Sequence, residues 1–131
     1  PAYRERVRQA AEALPCQAVV LRDFLDLTET ARLRLCADLF ILAISTDAFA
    51  ASMQEYLYAG AVFLMGDWLG YPQLDELGIP INRFHEYKEL PALVQQAMNG
   101  KLQKATDEQR ALLPGHYSWD AVRKDWLGLY E

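Results

Sequence analysis

Two carboxylates, Asp47 and Glu55, stand eight residues apart in the stretch Ala37–Gly60, ADLFILAISTDAFAASMQEYLYAG. A nearly all-apolar run, Ala37 to Ile44, leads into the polar cluster Ser45-Thr46-Asp47, and a helix is expected from about Phe49 to Tyr58. Eight helical residues rise about 12 Å, just over two turns, so both acids can face one cleft. Between them, the backbone N–H groups of Ala48, Phe49, Ala50 and Ala51 fall in the first turn, where amides lack intrahelical partners and the helix dipole favours an anion such as a diphosphate. Acids beside such a site do not attract phosphate by charge; their natural partners are sugar hydroxyls. Asp47 also has the plain role of a helix N-cap, and the two roles are compatible.

Other groups with chemical potential are sparser. Arg22, Asp23, Phe24 and Leu25 follow the short β-branched run Gln17–Leu21, and Asp67 and Trp68 follow Ala61–Met65, so both sets stand where a strand ends. His85 and His116 show no recognisable acid or nucleophile partner and read as ordinary loop or cap residues. Cys16 and Cys36 belong to no CxxC pair, and no His/Cys cluster has zinc spacing, so neither a metal nor a cofactor is expected. Such sparse usage fits a reducing compartment, with unpaired and largely buried thiols.

The elements that must position these groups alternate. A helix is expected at Tyr3–Leu14, a strand at Gln17–Leu21, a helix from an Asp26/Glu29 capping box to about Cys36, a strand at Ala37–Ile44, the helix carrying Glu55, and a strand at Ala61–Met65. A loop at Gly66–Pro72, a short helical piece at Leu74–Leu77 and a weak strand at Ile79–Phe84 follow. An amphipathic helix then ends before Gly100, a polar helix covers Lys101–Leu113, and Ser118 caps a final helix. Its Trp119, Val122, Trp126 and Tyr130 form one stripe, expected to pack on the domain. Alternation of this kind predicts an α/β fold: an open parallel Rossmann-like sheet with helices on both faces and ligands at the carboxyl ends of the strands. One domain over 1–131 is expected, closed by a helix at 118–131.

In this order and spacing the chain resembles the retaining GT-B glycosyltransferases of the large glycosyltransferase 4 group. The strand ADLFI followed by Asp47-x7-Glu55 is similar to the E-x7-E signature of that family. Val20–Leu25 resembles its base-side strand and loop, Glu55–Val62 its EAMA-G-PVV segment, and Tyr117-Ser118-Trp119 its F-S-W ending. The resemblance implies the C-terminal, donor-binding half of a GT-B fold without its first strands. It implies that Asp47 contacts the donor sugar as the catalytic position, that Glu55 holds the ribose hydroxyls, and that Thr46 and the amides of 48–51 meet the diphosphate. Arg22–Leu25 would frame the base, and Asp67 and Trp68 the pocket rim. The donor would be a nucleotide diphosphate-sugar, and a hexose would pass to a glycan, lipid or other acceptor, with retention and without a bound metal. Asp47 stands where the family has Glu, and Phe49-Ala50 where it has Phe-Gly. Its phosphate-stabilising Arg and Lys would lie upstream.

Several classes are disfavoured. Thirteen Lys and Arg against eighteen Asp and Glu leave a charge of −5, and the basic residues are scattered, which excludes a nucleic-acid grip. No run of 18 apolar residues and no leader pattern occurs, so membrane contact is not expected here; a cytoplasmic setting is, with the parent enzyme at the inner face of the membrane. The chain opens on Pro1 and on a helix rather than a strand, as an excised segment would. The missing strands, and an N-terminal acceptor-binding domain, would be supplied upstream or by another chain, and this chain alone is expected to be inactive. A noncatalytic nucleotide- or protein-binding module of the same fold is the alternative. A receiver-like domain needs paired acids after its first strand and a phosphoacceptor after its third, which the chain lacks.

Overall fold

The computed structural model describes residues 2–130, and contact density divides the chain into two compact units, Pro1–Thr30 and Ala31–Glu131. In the first unit, α1 (Ala2–Glu12) is followed by irregular chain, and α2 (Leu27–Leu35) begins near the unit's end. No described side chain of this unit is buried. Arg8 holds α1 together locally, bonding Glu5 at 2.6 Å and Glu12 at 2.5 Å, one turn away on either side. Asp26 and Glu29 close the expected capping box at the start of α2: Glu29 N–H donates to Asp26 Oδ1 at 2.8 Å, and Asp26 N–H to Glu29 Oε2 at 3.0 Å.

Gln17–Leu21 is not a strand. Its chain is irregular and its side chains are exposed, Val19 to 72%. A β-branched run favours extended backbone, but without a neighbouring ladder extended backbone does not become a strand. The two cysteines are likewise exposed rather than buried: Cys16 lies in the irregular chain after α1, and Cys36 directly follows α2.

The second unit is a mixed α/β layer around a small open sheet. Strands β1 (Leu39–Leu42), β2 (Val62–Gly66) and β3 (Asn82–Phe84) pair in that order, all parallel. Leu39 stands opposite Val62 and Leu42 opposite Met65; Leu64 stands opposite Asn82 and Gly66 opposite Phe84. Parallel strands need crossovers, provided by α3 (Ala51–Ala59) and by α4 (Pro72–Glu76) with its flanking loops. A single 3₁₀ turn at Tyr87–Glu89, then α5 (Leu90–Met98), α6 (Asp107–Tyr117) and α7 (Trp119–Gly128), complete the unit. Pro80 holds the weak third strand to three residues.

Phe63, Leu64 and Met65 fill the middle of β2 and are wholly buried. Phe63 and Met65 pack in one core with Met53 and Leu57 of α3, Leu74 of α4, Ile79, and Leu113 of α6. Burying such side chains contributes roughly 1.5–3 kcal/mol each and fixes α3 against the sheet. Gly60 ends α3 in the left-handed region, φ 95°, where a Cβ would also meet the Arg110 guanidinium at 2.7 Å. That guanidinium donates to the Tyr58 carbonyl at 3.0 Å, joining α6 to the last turn of α3. The polar helix expected from Lys101 begins later, because Thr106 and Gln109 form a capping box that sets α6 at Asp107. Among the described residues no helix is long and apolar enough to cross a membrane.

Candidate functional site

β1 delivers the chain to a turn that its own carboxylate organises. Asp47 Oδ2 accepts from the Ala50 amide at 2.9 Å and from the Tyr71 hydroxyl at 2.5 Å. The Tyr71 hydroxyl, the Ala50 amide and more weakly the amides of Ala48 and Phe49 hold this carboxyl below its usual range. Burial, reinforced by the Asp47 carboxylate, pushes the Tyr71 hydroxyl up. Asp47 is thus the cap of the turn before α3 rather than of the helix itself, whose N-cap is Ala50 with no side-chain bond.

The helix starts at Ala51, two residues later than its spacing predicts, because Phe49 lies at φ 62°. A non-glycine residue there is strained, and three contacts hold it. Its ring packs on Tyr71 and edge-on against Tyr117, at centroid distances of 5.7 and 4.9 Å, and its carbonyl accepts from Gln54 Nε2 at 3.1 Å. Amides from this turn therefore meet an internal anion. A diphosphate reaching them would have to take the place of the Asp47 carboxylate.

Glu55 sits one face along α3, half exposed, in a groove of about 310 Å³ whose other walls come from α6 and the start of α7. Ala51, Gln54 and Tyr58 share that helical face, and Tyr117 and Trp119 stand across from it. Arg34 pairs with Glu55 Oε2, and its guanidinium lies 5.9 Å from the Tyr56 ring centre. Asp47 is not among the residues that line this groove.

The carboxyl ends of the strands carry an aromatic cap. Trp68 Nε1 donates to the Ile44 carbonyl at 2.8 Å, and the Tyr87 hydroxyl to the Ala43 carbonyl at 3.1 Å. Trp68, Phe84 and Tyr87 pack mutually with centroids 5.2–5.8 Å apart. Gly66 is a matter of space: a Cβ there would lie 2.3 Å from the Trp68 ring. Beside this cap His85 Nδ1 lies 2.8 Å from Asp67 Oδ2, a partner that the sequence did not reveal, and the Asp67 carboxylate pushes the imidazole pKa up.

Of the remaining positions, Thr46 and Ala48 are exposed in the turn, and Ala51 opens α3 on the groove wall. Arg22, Asp23, Phe24 and Leu25 belong to the first unit's irregular chain, with Phe24 fully exposed and Leu25 partly buried. His116 rests near Tyr117, 5.9 Å between ring centres. The Trp119 and Trp126 stripe is not core: the two indoles are 65% and 51% exposed, since α7 contributes no buried side chain. Tyr71, Gln54 and Tyr58 escaped sequence reading. Tyr71 carried one usable signal, an aromatic directly before Pro72 in the loop that follows a buried strand.

Among the described residues no group of three or more His, Cys, Asp or Glu stands close enough to hold a metal ion. No protein-family model matches the chain, and no curated protein or solved structure matches it.

Proposed function

We propose that this chain binds a nucleotide diphosphate-sugar and is the donor-binding part of a retaining glycosyltransferase, the C-terminal half of a GT-B fold. The supporting observation is the run of β1 into an amide-rich turn and then α3, with Asp47 in the turn and Glu55 one helical face away in an open groove. In this reading the donor diphosphate takes the turn amides as the Asp47 carboxylate leaves them for the sugar hydroxyls. Glu55, oriented by Arg34, accepts from the ribose hydroxyls. The hexose acceptor is a glycan, a lipid or another hydroxyl compound, held by a second domain.

Titration of the chain with UDP, GDP and ADP and their glucose conjugates, followed by amide NMR, tests this. Saturable shifts centred on Thr46–Glu55 are expected for one base. A folded sample showing no shift with any of the six would oppose the reading.

One observation favours a noncatalytic module instead. The Asp47 carboxylate is already satisfied by Tyr71 and the turn amides, and Trp68 and Tyr87 occupy the carbonyls at the end of β1. A domain that had left sugar transfer would keep such internal closure. Binding of a nucleotide diphosphate without any response to its glucose conjugate would select that reading.

A further inference from the structure

We infer that the groove between α3 and the α6–α7 junction is a binding site for an uncharged pyranose ring, which it takes without a nucleotide. The groove shares Glu55 with the donor reading but requires no phosphate, and no residue of the 45–50 turn lines it.

Its size comes first. About 310 Å³ lies at the lower end of small-ligand pockets, room for one sugar ring. Its walls are aromatic and open: Trp119 is 65% and Tyr58 56% exposed. An exposed indole offers a flat apolar face, which matches the C–H face of a pyranose. The polar groups are those that hydroxyls need. Glu55 Oε1 has no protein partner among the described residues, while Oε2 is held by Arg34. Ser118 Oγ accepts from the Ala121 amide at 3.2 Å, and its own hydrogen has no acceptor among the described residues. Gln54 gives its amide nitrogen to the Phe49 carbonyl, leaving its oxygen as an acceptor.

Aromatic walls with one carboxylate also describe a cage for an organic cation. The ion pair decides between the two. Arg34 is mostly buried, with 22% of its side chain exposed, and already neutralises Glu55. A second cation in the groove would meet little net charge, whereas a hydroxyl needs only the unoccupied oxygen, which Arg34 holds in place.

The test is an amide NMR titration of the full chain with methyl glucoside, methyl galactoside and methyl mannoside, and separately with tetramethylammonium. For at least one pyranoside we expect saturable shifts on Ala51–Tyr58 and Tyr117–Trp119, with half-saturation on the order of 1–10 mM, as for a ligand of a dozen atoms. Trp119→Ala should weaken that binding at least tenfold while its spectrum elsewhere stays that of the parent chain. Val122→Ala on the same helix, which does not line the groove, should leave it unchanged. No saturable shift with any pyranoside, equal binding by the Trp119 variant, or saturation by tetramethylammonium instead would overturn the assignment. Because these probes lack phosphate and a base, their failure is distinct from a failure of the nucleotide titration: shifts on Tyr117–Trp119 belong to the pyranoside, shifts on Thr46–Ala50 to the nucleotide.

Discussion

Asp47 is the residue on which most of the local structure converges. Its bonds from the Tyr71 hydroxyl and the turn amides are stronger to the ionised carboxylate than to the neutral acid, so its folded pKa lies below the ordinary 3.8. Stability from it is fully present above the unfolded value and is lost as pH falls through the folded one, a window below about pH 4. Tyr71→Phe removes the shortest of these bonds from a buried site. It should cost about 1.5–3 kcal/mol in urea unfolding and move the acid transition to higher pH; an unchanged acid transition would show the bond to be idle. His85 has the opposite sign. Asp67 raises its pKa above 6.5, so the pair stabilises fully below that value and is lost as pH rises through the folded pKa. Imidazole NMR should give a midpoint above 6.5 in the parent chain, falling back toward it in Asp67→Asn. Equal midpoints would place the two side chains apart in solution.

At the scale of elements, local signals were legible and distant pairings were not. The Asp26/Glu29 box, the stop of α3 at Gly60 and the end of α5 before Gly100 follow from residues within one turn of each other. The Thr106/Gln109 box was equally local and marks the true start of α6. Gln17–Leu21 misled because its composition suits a strand while nothing pairs with it, a fact that no local pattern contains. The links Asp47–Tyr71 and Trp68–Ile44 each span 24 residues, and they exist only once β1 and β2 lie side by side. Gly66 shows this best. It reads as a loop glycine, yet its role is to leave room for the Trp68 ring at the strand end. Gly66→Ala should expel that indole, shift tryptophan emission to longer wavelength and destabilise by ~1–3 kcal/mol. An unaltered emission spectrum would mean that the ring does not rest there.

Across the whole molecule, every buried apolar side chain lies between Leu42 and Leu113 among the described residues. The cooperative unit is therefore the second one, and cleavage in the exposed chain around Arg22 should leave its unfolding midpoint and denaturant slope unchanged within about 0.5 kcal/mol. A broadened or shifted transition after cleavage would show that the first 30 residues share its cooperativity. The proposed binding groups belong to the same unit: the turn, α3 and its groove all fall within 31–131, whereas Arg22–Leu25 does not. The proposed donor site thus rests on Glu55. The most direct measurement is the affinity of Glu55→Gln against the parent chain for the nucleoside diphosphate that binds best. A loss of about 1–3 kcal/mol, roughly 5- to 150-fold in Kd, is predicted from leaving ribose hydroxyls poorly paired. Equal affinities in two folded proteins would remove Glu55 from the site and contradict the donor-binding account.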